Sequence, residues 1–409
     1  MLIRLDTAPA LAPFRVRSYR FQWPADMLTS WAFEMETLIL GWYVLVETGS
    51  VLWLTVFGSL QYVGTLIAPL IGVVADRIGR RALLCCTRTS YMALAGTLMV
   101  LAFADALTAW AVLVITFLAG LARPSDWSMR NALIGDTIPP GALAAAMGLN
   151  RMTWDTARIA GALAGAGLFA ALGIGSAYVF VTAFYAAGLL LTFQVSAPRR
   201  AVIGPPAAAL GAWHEFKEGI AFVWHSPTVL ALMILAFLVN LLAFPVTMGL
   251  LPHVAKEIYA IDQIGLGHLV ASFAAGSLIG SLAMTVTGGP TRVGKFMVLS
   301  IAAWYLGILV FGVQEAKVPG IVMLMIIGAV QNIGMIALAV ILLRVTPEAF
   351  RGRVMGVRIL AVYGLPTGLL GYGFLIDSFG FVPAMTLGSL AGLALTAVIA
   401  VRWRREMWT

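Results

Sequence analysis

The chain has 409 residues, of which 61% are hydrophobic and only 11% are charged. A water-facing surface needs far more charge than this, so the composition excludes a soluble globular protein. The formal net charge of +8 is not gathered on a solvated basic domain, and we therefore expect no binding of nucleic acid. The two cysteines, Cys85 and Cys86, are adjacent inside an apolar run, so we expect no disulfide framework, no metal site and no cofactor.

A helix needs about 20 apolar residues to cross the hydrocarbon core of a membrane. On this criterion the sequence predicts an all-α polytopic membrane protein with twelve transmembrane helices. The predicted spans lie near residues 25–46, 51–75, 82–103, 107–129, 142–170, 175–196, 228–251, 264–286, 295–313, 319–343, 354–376 and 382–401. If successive spans cross the membrane in opposite directions, nearly all Lys and Arg residues of the loops fall on one side of the membrane. Because such loops stay in the cytoplasm, we expect both termini there and the protein in a bacterial inner membrane.

The longest polar connection, residues 198–227, divides the spans into two sets of six. It predicts an N-terminal six-helix bundle over residues 1–197 and a C-terminal six-helix bundle over residues 228–409. Between Trp213 and Trp224, apolar residues recur at helical spacing among charged ones, which predicts an amphipathic helix on the membrane surface. We interpret the connection as a cytoplasmic tether, and the alternative is a regulatory docking site.

Two segments of the chain resemble each other and suggest that the halves are repeats. Residues 134–173 match residues 342–381 at one constant offset. The matched positions are Pro139 with Pro347, Met147 and Gly148 with Met355 and Gly356, and Gly165 with Gly373. Internal repeats of this kind are typical of transporters, so the pattern predicts two pseudo-symmetric bundles.

The loop between the second and third predicted spans combines glycines with a carboxylate and several arginines. Glycine lets two helices approach closely, and a carboxylate beside arginines can form charge-assisted pairs in one conformation and release them in another. We interpret the loop as part of a cytoplasmic gate. Its members are Gly72, Asp76, Arg77, Gly79, Arg80 and Arg81.

This loop resembles, in sequence and in position, the hallmark loop of the major facilitator superfamily. Residues 41–50, 130–140 and 351–356 further resemble the branch with enterobactin exporters and macrolide-efflux proteins, and the resemblance covers essentially the whole chain. It implies two six-helix bundles around a central cavity, alternating access, coupling to protons and export of small molecules.

Two segments depart from that family pattern. In the fifth span, residues 158–167 keep the glycines of the exporter motif but lack its proline, which bears on the direction of transport. The counterpart of the signature loop in the second half, residues 288–295, has no acidic residue. We therefore expect the inner gate to be held mainly from the first half.

Three acidic residues in the first span are candidates for function, since ionisable groups at membrane depth are costly. Asp26 and Glu34 fall on one helical face, and Glu36 points elsewhere. Glu34 lies near mid-span, where a carboxyl group can exchange protons near neutral pH, so we expect it to couple protons or bind a cation. The alternatives are a protonated structural role for Glu34, a cavity role for Glu36, and an interfacial position for Asp26.

A second charged cluster is predicted near the cytoplasmic ends of the fourth and fifth spans. Asp126 and Arg130 share one helical face, and Asp155 and Arg158 share another. In the family that the loop resembles, an acid of the fourth helix pairs with an arginine of the signature loop, which implies a pair between Asp126 and Arg80. We interpret this network as a gate, while Arg158, its deepest member, could reach an anionic substrate.

The second half contributes uncharged polar residues at membrane depth, namely Asn240, Gln331 and Asn332. These side chains suit hydrogen bonding to a substrate. The sequence contains no phosphate-binding loop and no nucleophile with an adjacent base, so we do not expect an enzyme or an ATP-driven pump.

These observations favour a proton-coupled secondary transporter that exports a small amphipathic or siderophore-like molecule, with protons and the lipid bilayer as its other partners. We expect a monomer. One alternative keeps the fold and reverses the flow, as an importer or a lysophospholipid flippase. Another is a membrane sensor that does not transport, although a charged gate and a buried acid are not needed in a static scaffold.

Overall fold

The structure is a computed structural model that describes residues 9–67, 74–75, 78–196, 208–287 and 292–404. Gly72, Asp76 and Arg77 of the signature loop lie outside these residues. Within the described ranges the elements are helices, and no β-strand is present. The first six spans are α1 Arg17–Thr48, α2 Val51–Leu60 with a 3-10 turn at Val63–Ile67, α3 Arg80–Phe103, α4 Ala109–Thr137, α5 140–172 and α6 174–192.

A linker helix, Ala208–His225, precedes the second set of spans. That set comprises α7 Pro227–Leu242 and its continuation through Ile258, α8 Gln263–Thr287, α9 Val293–Gly312, α10 Lys317–Val345, α11 from Glu348 to Phe379 and α12 Phe381–Arg402. Of the described helices, eight are long and apolar enough to cross a membrane by length and composition alone. One of the eight is the 53-residue run Pro140–Thr192, which breaks at Gly173 and so holds two spans. The predicted all-α fold of twelve helices is confirmed.

The internal repeat appears in the backbone at both ends of the fifth and eleventh spans. Pro139 caps α5 with φ −59° and ψ 148°, and Pro347 caps α11 with φ −55° and ψ 146°. Each span ends at a glycine in a conformation that other residues rarely adopt, Gly173 at φ 78° and Gly380 at φ 88°. Matching prolines therefore start corresponding helices in the two halves, and a glycine ends each helix, one residue earlier in the second half than the offset of the repeat gives.

Prolines inside two spans create sites where a neighbouring helix packs unusually closely. Proline has no N–H, so the carbonyl of the residue four positions earlier loses its helical hydrogen bond. Pro124 frees the carbonyl of Gly120 in this way, and a side chain at Gly64 would overlap that oxygen. In the second half, the carbonyl of Leu241, four residues before Pro245, faces Gly368 of α11.

The chain forms two compact units. The first contains the described residues of Met1–Tyr43 and Leu60–Gly204, and the second contains those of Val44–Ser59 and Pro205–Thr409. In the second unit, the Ser59 hydroxyl donates a hydrogen bond to the carbonyl of Pro366 at 3.0 Å, so α2 packs on α11. The predicted division into 1–197, 198–227 and 228–409 stays a prediction.

Candidate functional site

Four charged side chains meet in the interior of the first unit. Asp26 comes from α1, Arg88 from α3, and Asp126 and Arg130 from α4, and all four are buried. Arg88 forms a close ion pair with Asp26, and its Nε lies 3.5 Å from Oδ1 of Asp126. Arg130 lies 2.5 Å from Asp126 and 3.7 Å from Asp26. Each carboxylate therefore serves two guanidinium groups, and the cluster is electrically neutral.

Neighbouring polar groups add further hydrogen bonds to this cluster. Arg130 donates to the Ser30 hydroxyl at 2.8 Å and to the Asp26 carbonyl at 3.2 Å. Arg88 donates to the hydroxyl of Thr192, which joins α6 to the cluster. Gln22 donates to the carbonyl of Arg130 at 3.0 Å. Because a buried charge is tolerated only when paired and hydrogen-bonded, these contacts hold α1, α3, α4 and α6 in one arrangement.

The predicted pair between Asp126 and Arg80 is wrong in this structure. Arg80 pairs instead with Asp136, at 2.7 Å between Nη1 and Oδ2. Asp136 lies ten residues beyond Asp126, about 15 Å further along α4 at the helical rise. Since α3 begins at Arg80 and runs antiparallel to α4, the residue that meets Asp126 is Arg88, eight residues into α3.

Arg88 is the functional candidate that sequence reasoning missed. It is 0% exposed and, like Arg130, it pairs with both Asp26 and Asp126. A signal was present, because Arg88 lies inside the predicted span 82–103 and an arginine at membrane depth is a functional candidate by default.

The remaining described members of the predicted gate fall into separate groups. Gly79 adopts φ 91° at the start of α3, and the guanidinium of Arg81 donates to the carbonyl of Phe193. Asp155 pairs with Arg151 of its own helix at 3.3 Å. The described residues thus form a shallow pair at Arg80, a buried cluster around Arg130 and a helical pair at Asp155, in place of one continuous network.

Glu34 occupies a different position from the buried cluster. Glu34 is half-buried on α1 and packs closely against Gly161 of α5. A Cβ atom added to Gly161 would lie only 2.8 Å from the Cβ of Glu34. Arg123 and Arg158 both lie close enough to Glu34 for a Coulombic interaction. The guanidinium of Arg123 is held 3.3 Å above the ring of Phe33 and donates to the Gln61 side chain at 3.0 Å. One carboxyl group thus lies in the field of two arginines from different helices.

Glu36 faces another part of the first unit. Its carboxylate accepts a hydrogen bond from the Tyr185 hydroxyl of α6 at 2.9 Å. The ring of Tyr185 lies 5.5 Å from that of Tyr91 on α3. Glu34 and Glu36 are two residues apart on one helix, and both lie in the field of Arg123. Arg158 is a further neighbour of Glu34 alone, and the Tyr185 hydroxyl is a partner of Glu36 alone. The predicted alternative of Glu36 as a cavity group stays a prediction.

The three polar residues predicted in the second half also differ in their surroundings. Asn240 donates to the carbonyl of Ala236 in its own helix at 2.8 Å. Asn332 donates to the carbonyl of Ser277 at 2.6 Å and so ties α10 to α8. Gln331 is buried, and its Oε1 has no hydrogen-bond partner within the described part of the chain. Gln331 therefore has a buried acceptor oxygen that is available to bond a ligand.

Twelve helices with an internal repeat, and charged side chains sealed inside a helical bundle, are the features of a polytopic transporter. The sequence profile described as Major Facilitator Superfamily matches residues 27–370, and the chain belongs to this family. Macrolide efflux protein A of Streptococcus pyogenes is 21% identical, over 70% of this chain and 72% of the relative. The enterobactin exporter EntS of Escherichia coli is 26% identical, over 74% of this chain and 70% of the relative. The resemblance inferred from the sequence is thereby confirmed.

Solved structures agree on the fold. The D-xylose-proton symporter superposes with a TM-score of 0.74, over 93% of this chain and 96% of the symporter, at 12% sequence identity. At that identity the likeness concerns the fold alone. The protein is a membrane transporter of the major facilitator fold with efflux proteins among its relatives, and these relatives imply a small-molecule substrate.

Proposed function

We propose that this protein is a proton-coupled secondary transporter of the bacterial inner membrane that exports a small amphipathic or siderophore-like molecule by alternating access. The observation that carries the proposal is Glu34, a half-buried carboxyl group on a spanning helix in the field of Arg123 and Arg158. The named activities of the two relatives, macrolide efflux and enterobactin export, support the direction and the substrate class.

The proposed coupling follows from charge. When Glu34 is ionised, it balances part of the positive charge of Arg123 and Arg158, and when it takes up a proton that balance is lost. A hydrogen-bond-donating part of a substrate binds the ionised carboxylate of Glu34, and a proton taken up by Glu34 displaces it. Proton and substrate therefore compete for the same carboxylate, which is the requirement for exchanging one against the other.

The buried cluster of Asp26, Arg88, Asp126 and Arg130 has a second role in this proposal. Its charges are already paired within the unit, so it holds four helices together while Glu34 titrates. A rigid first unit lets a change of charge at α1 act on the whole bundle. The shallow pair of Arg80 with Asp136 adds a contact between the start of α3 and the end of α4.

The test compares Glu34→Gln with Glu36→Gln in proteoliposomes that carry an imposed pH gradient. Enterobactin and a macrolide serve as the probes. We expect Glu34→Gln to abolish the part of the flux that depends on the pH gradient, while Glu36→Gln retains it because glutamine still accepts the hydrogen bond from Tyr185. Unchanged proton-driven flux in Glu34→Gln refutes the coupling role. Proton-driven uptake in place of extrusion identifies an importer.

A further inference from the structure

A groove of about 590 Å³ lies on the surface of the second unit, between α9 and α12. Val298 and Ala302 of α9 form one wall. The other wall includes one face of α12, whose members are spaced three or four residues apart, namely Leu390, Ala394, Ala397 and Val401. These four residues are exposed, so the groove is open along its length. Since both helices cross the membrane, the groove opens toward lipid.

The helices α9 and α12 run antiparallel, and two glycines fix their register. A Cβ at Gly312 would overlap Met385, and a Cβ at Gly392 would overlap the ring of Tyr305. Tyr305 and Gly312 are seven residues apart, and so are Met385 and Gly392, in the opposite order. Ten residues further in this register, the start of α9 is level with the end of α12. These two termini therefore meet at the same end of the groove.

That end of the groove is basic. Lys295 lies on the groove face of α9, three residues before Val298, and Arg404 follows the last turn of α12. Arg292 and Arg402 are exposed close by. The first two turns of α9 and the last two turns of α12 contain no acidic residue. An open apolar groove thus ends in a cluster of positive charge.

The length of the groove matches one leaflet of a bilayer. From Leu390 to Val401 it extends about 16 Å along α12, at about 1.5 Å per residue. The hydrocarbon core is about 30 Å thick, so one leaflet contributes about 15 Å. Thr396 in the groove wall is 2% exposed, and its hydroxyl has no hydrogen-bond partner among the residues that the structure describes. An ester carbonyl of a lipid in the groove can accept this hydrogen bond.

We propose that the groove between α9 and α12 binds one anionic phospholipid. An acyl chain lies along the alanine-lined face of α12, and the phosphate contacts Lys295 and Arg404, because basic residues at the membrane surface attract anionic headgroups. A second copy of this chain in the same membrane orientation would bring two basic ends together, where like charges repel. The proposal depends on the membrane location of the chain and is independent of substrate, direction and proton coupling.

The test measures lipid binding by mass spectrometry of the intact protein released from detergent micelles. Phosphatidylglycerol and phosphatidylethanolamine with identical acyl chains are titrated separately. We expect the first phosphatidylglycerol to bind at least fivefold more tightly. Lys295→Gln and Arg404→Gln should each lower this affinity about fivefold, which is the contribution of one basic residue at a membrane surface, and leave that for phosphatidylethanolamine nearly unchanged. Lys317→Gln is the matched control, because it removes the same charge at the opposite end of the bundle, where α10 begins.

A second variant tests the apolar part of the groove. Ala397→Trp fills the groove from an exposed position and should lower the affinity for both lipids by the same factor, since it acts on the acyl chain and not on the headgroup. Equal affinities of the parent protein for the two lipids overturn the proposal. So does a loss in Lys317→Gln as large as that in Arg404→Gln. A dimer that lipid does not dissociate and that Ala397→Trp abolishes assigns the groove to a second copy of the chain and also overturns it.

Discussion

Replacing Arg88 with methionine tests whether the buried cluster in the first unit depends on this one side chain. Methionine preserves most of the volume and removes the positive charge. Asp26 and Asp126 then share Arg130 as their remaining partner in the cluster, and the Thr192 hydroxyl loses its charged donor. The protein is left with one unbalanced negative charge in a site where all the members are buried.

The expected cost follows from the burial of the pair. Removing one partner of a buried ion pair lowers the free energy of unfolding by about 3–5 kcal/mol, because the other charge is left uncompensated. Adding Asp26→Leu to Arg88→Met restores neutrality and leaves the 2.5 Å pair of Arg130 with Asp126 in place. We therefore expect the double variant to be more stable than the sum of the single effects predicts, by about 2–3 kcal/mol.

Equilibrium unfolding in mixed micelles of a mild detergent and sodium dodecyl sulfate provides the measurement. Arg151→Met is the matched control, because Arg151 also pairs with an aspartate but its side chain is 59% exposed. Exposed pairs contribute about 1 kcal/mol or less, so this variant stays close to the parent protein. Equal costs for Arg88→Met and Arg151→Met, or strictly additive effects of Arg88→Met and Asp26→Leu, would refute the reasoning.

Two further predictions use the same unfolding assay. Gly368→Ala places a methyl group against a backbone carbonyl of α7 and should lower the free energy of unfolding by about 1–3 kcal/mol. Gly371 faces open space on the same helix, so Gly371→Ala should leave the free energy of unfolding nearly unchanged. Equal losses of stability in the two variants would contradict the close packing at Gly368. A double-mutant cycle of Arg80→Ala with Asp136→Ala should give a coupling energy of about 0.5 kcal/mol, against none for Arg80→Ala with Asp126→Asn. A coupling energy that appears only between Arg80 and Asp126 would contradict the pair of Arg80 with Asp136.

Local properties of the chain account for what sequence reasoning predicted well. Hydropathy and the positions of proline and glycine act over a few residues, so the spans and their breaks could be predicted without tertiary information. The repeat is the clearest case. The matched Pro139 and Pro347 cap corresponding helices, and the segments that they open end at Gly173 and Gly380. The linker helix is another, since its amphipathic pattern is local.

The candidate site was predicted less completely, because it depends on how helices pair. Asp26, Asp126 and Arg130 were selected from the sequence as charges at or near membrane depth. Their shared partner, Arg88, was missed, and Asp126 was assigned to Arg80 by analogy with the family. A shift of eight residues along α3 separates the two arginines, and sequence alone contains no information on the register between α3 and α4.

The sequence by itself determined that this protein lies in a membrane, that it has twelve spans, and that they come as a repeat, because each of these depends on apolar length or on a single backbone-restricting residue. Only the tertiary structure decided which charges meet, that Glu34 faces arginines while Glu36 faces Tyr185, and that Ser59 of α2 packs on α11. These outcomes depend on the rotation and register of packed helices. A rotation of one helix changes the partners of every side chain on it, while its hydropathy pattern stays the same.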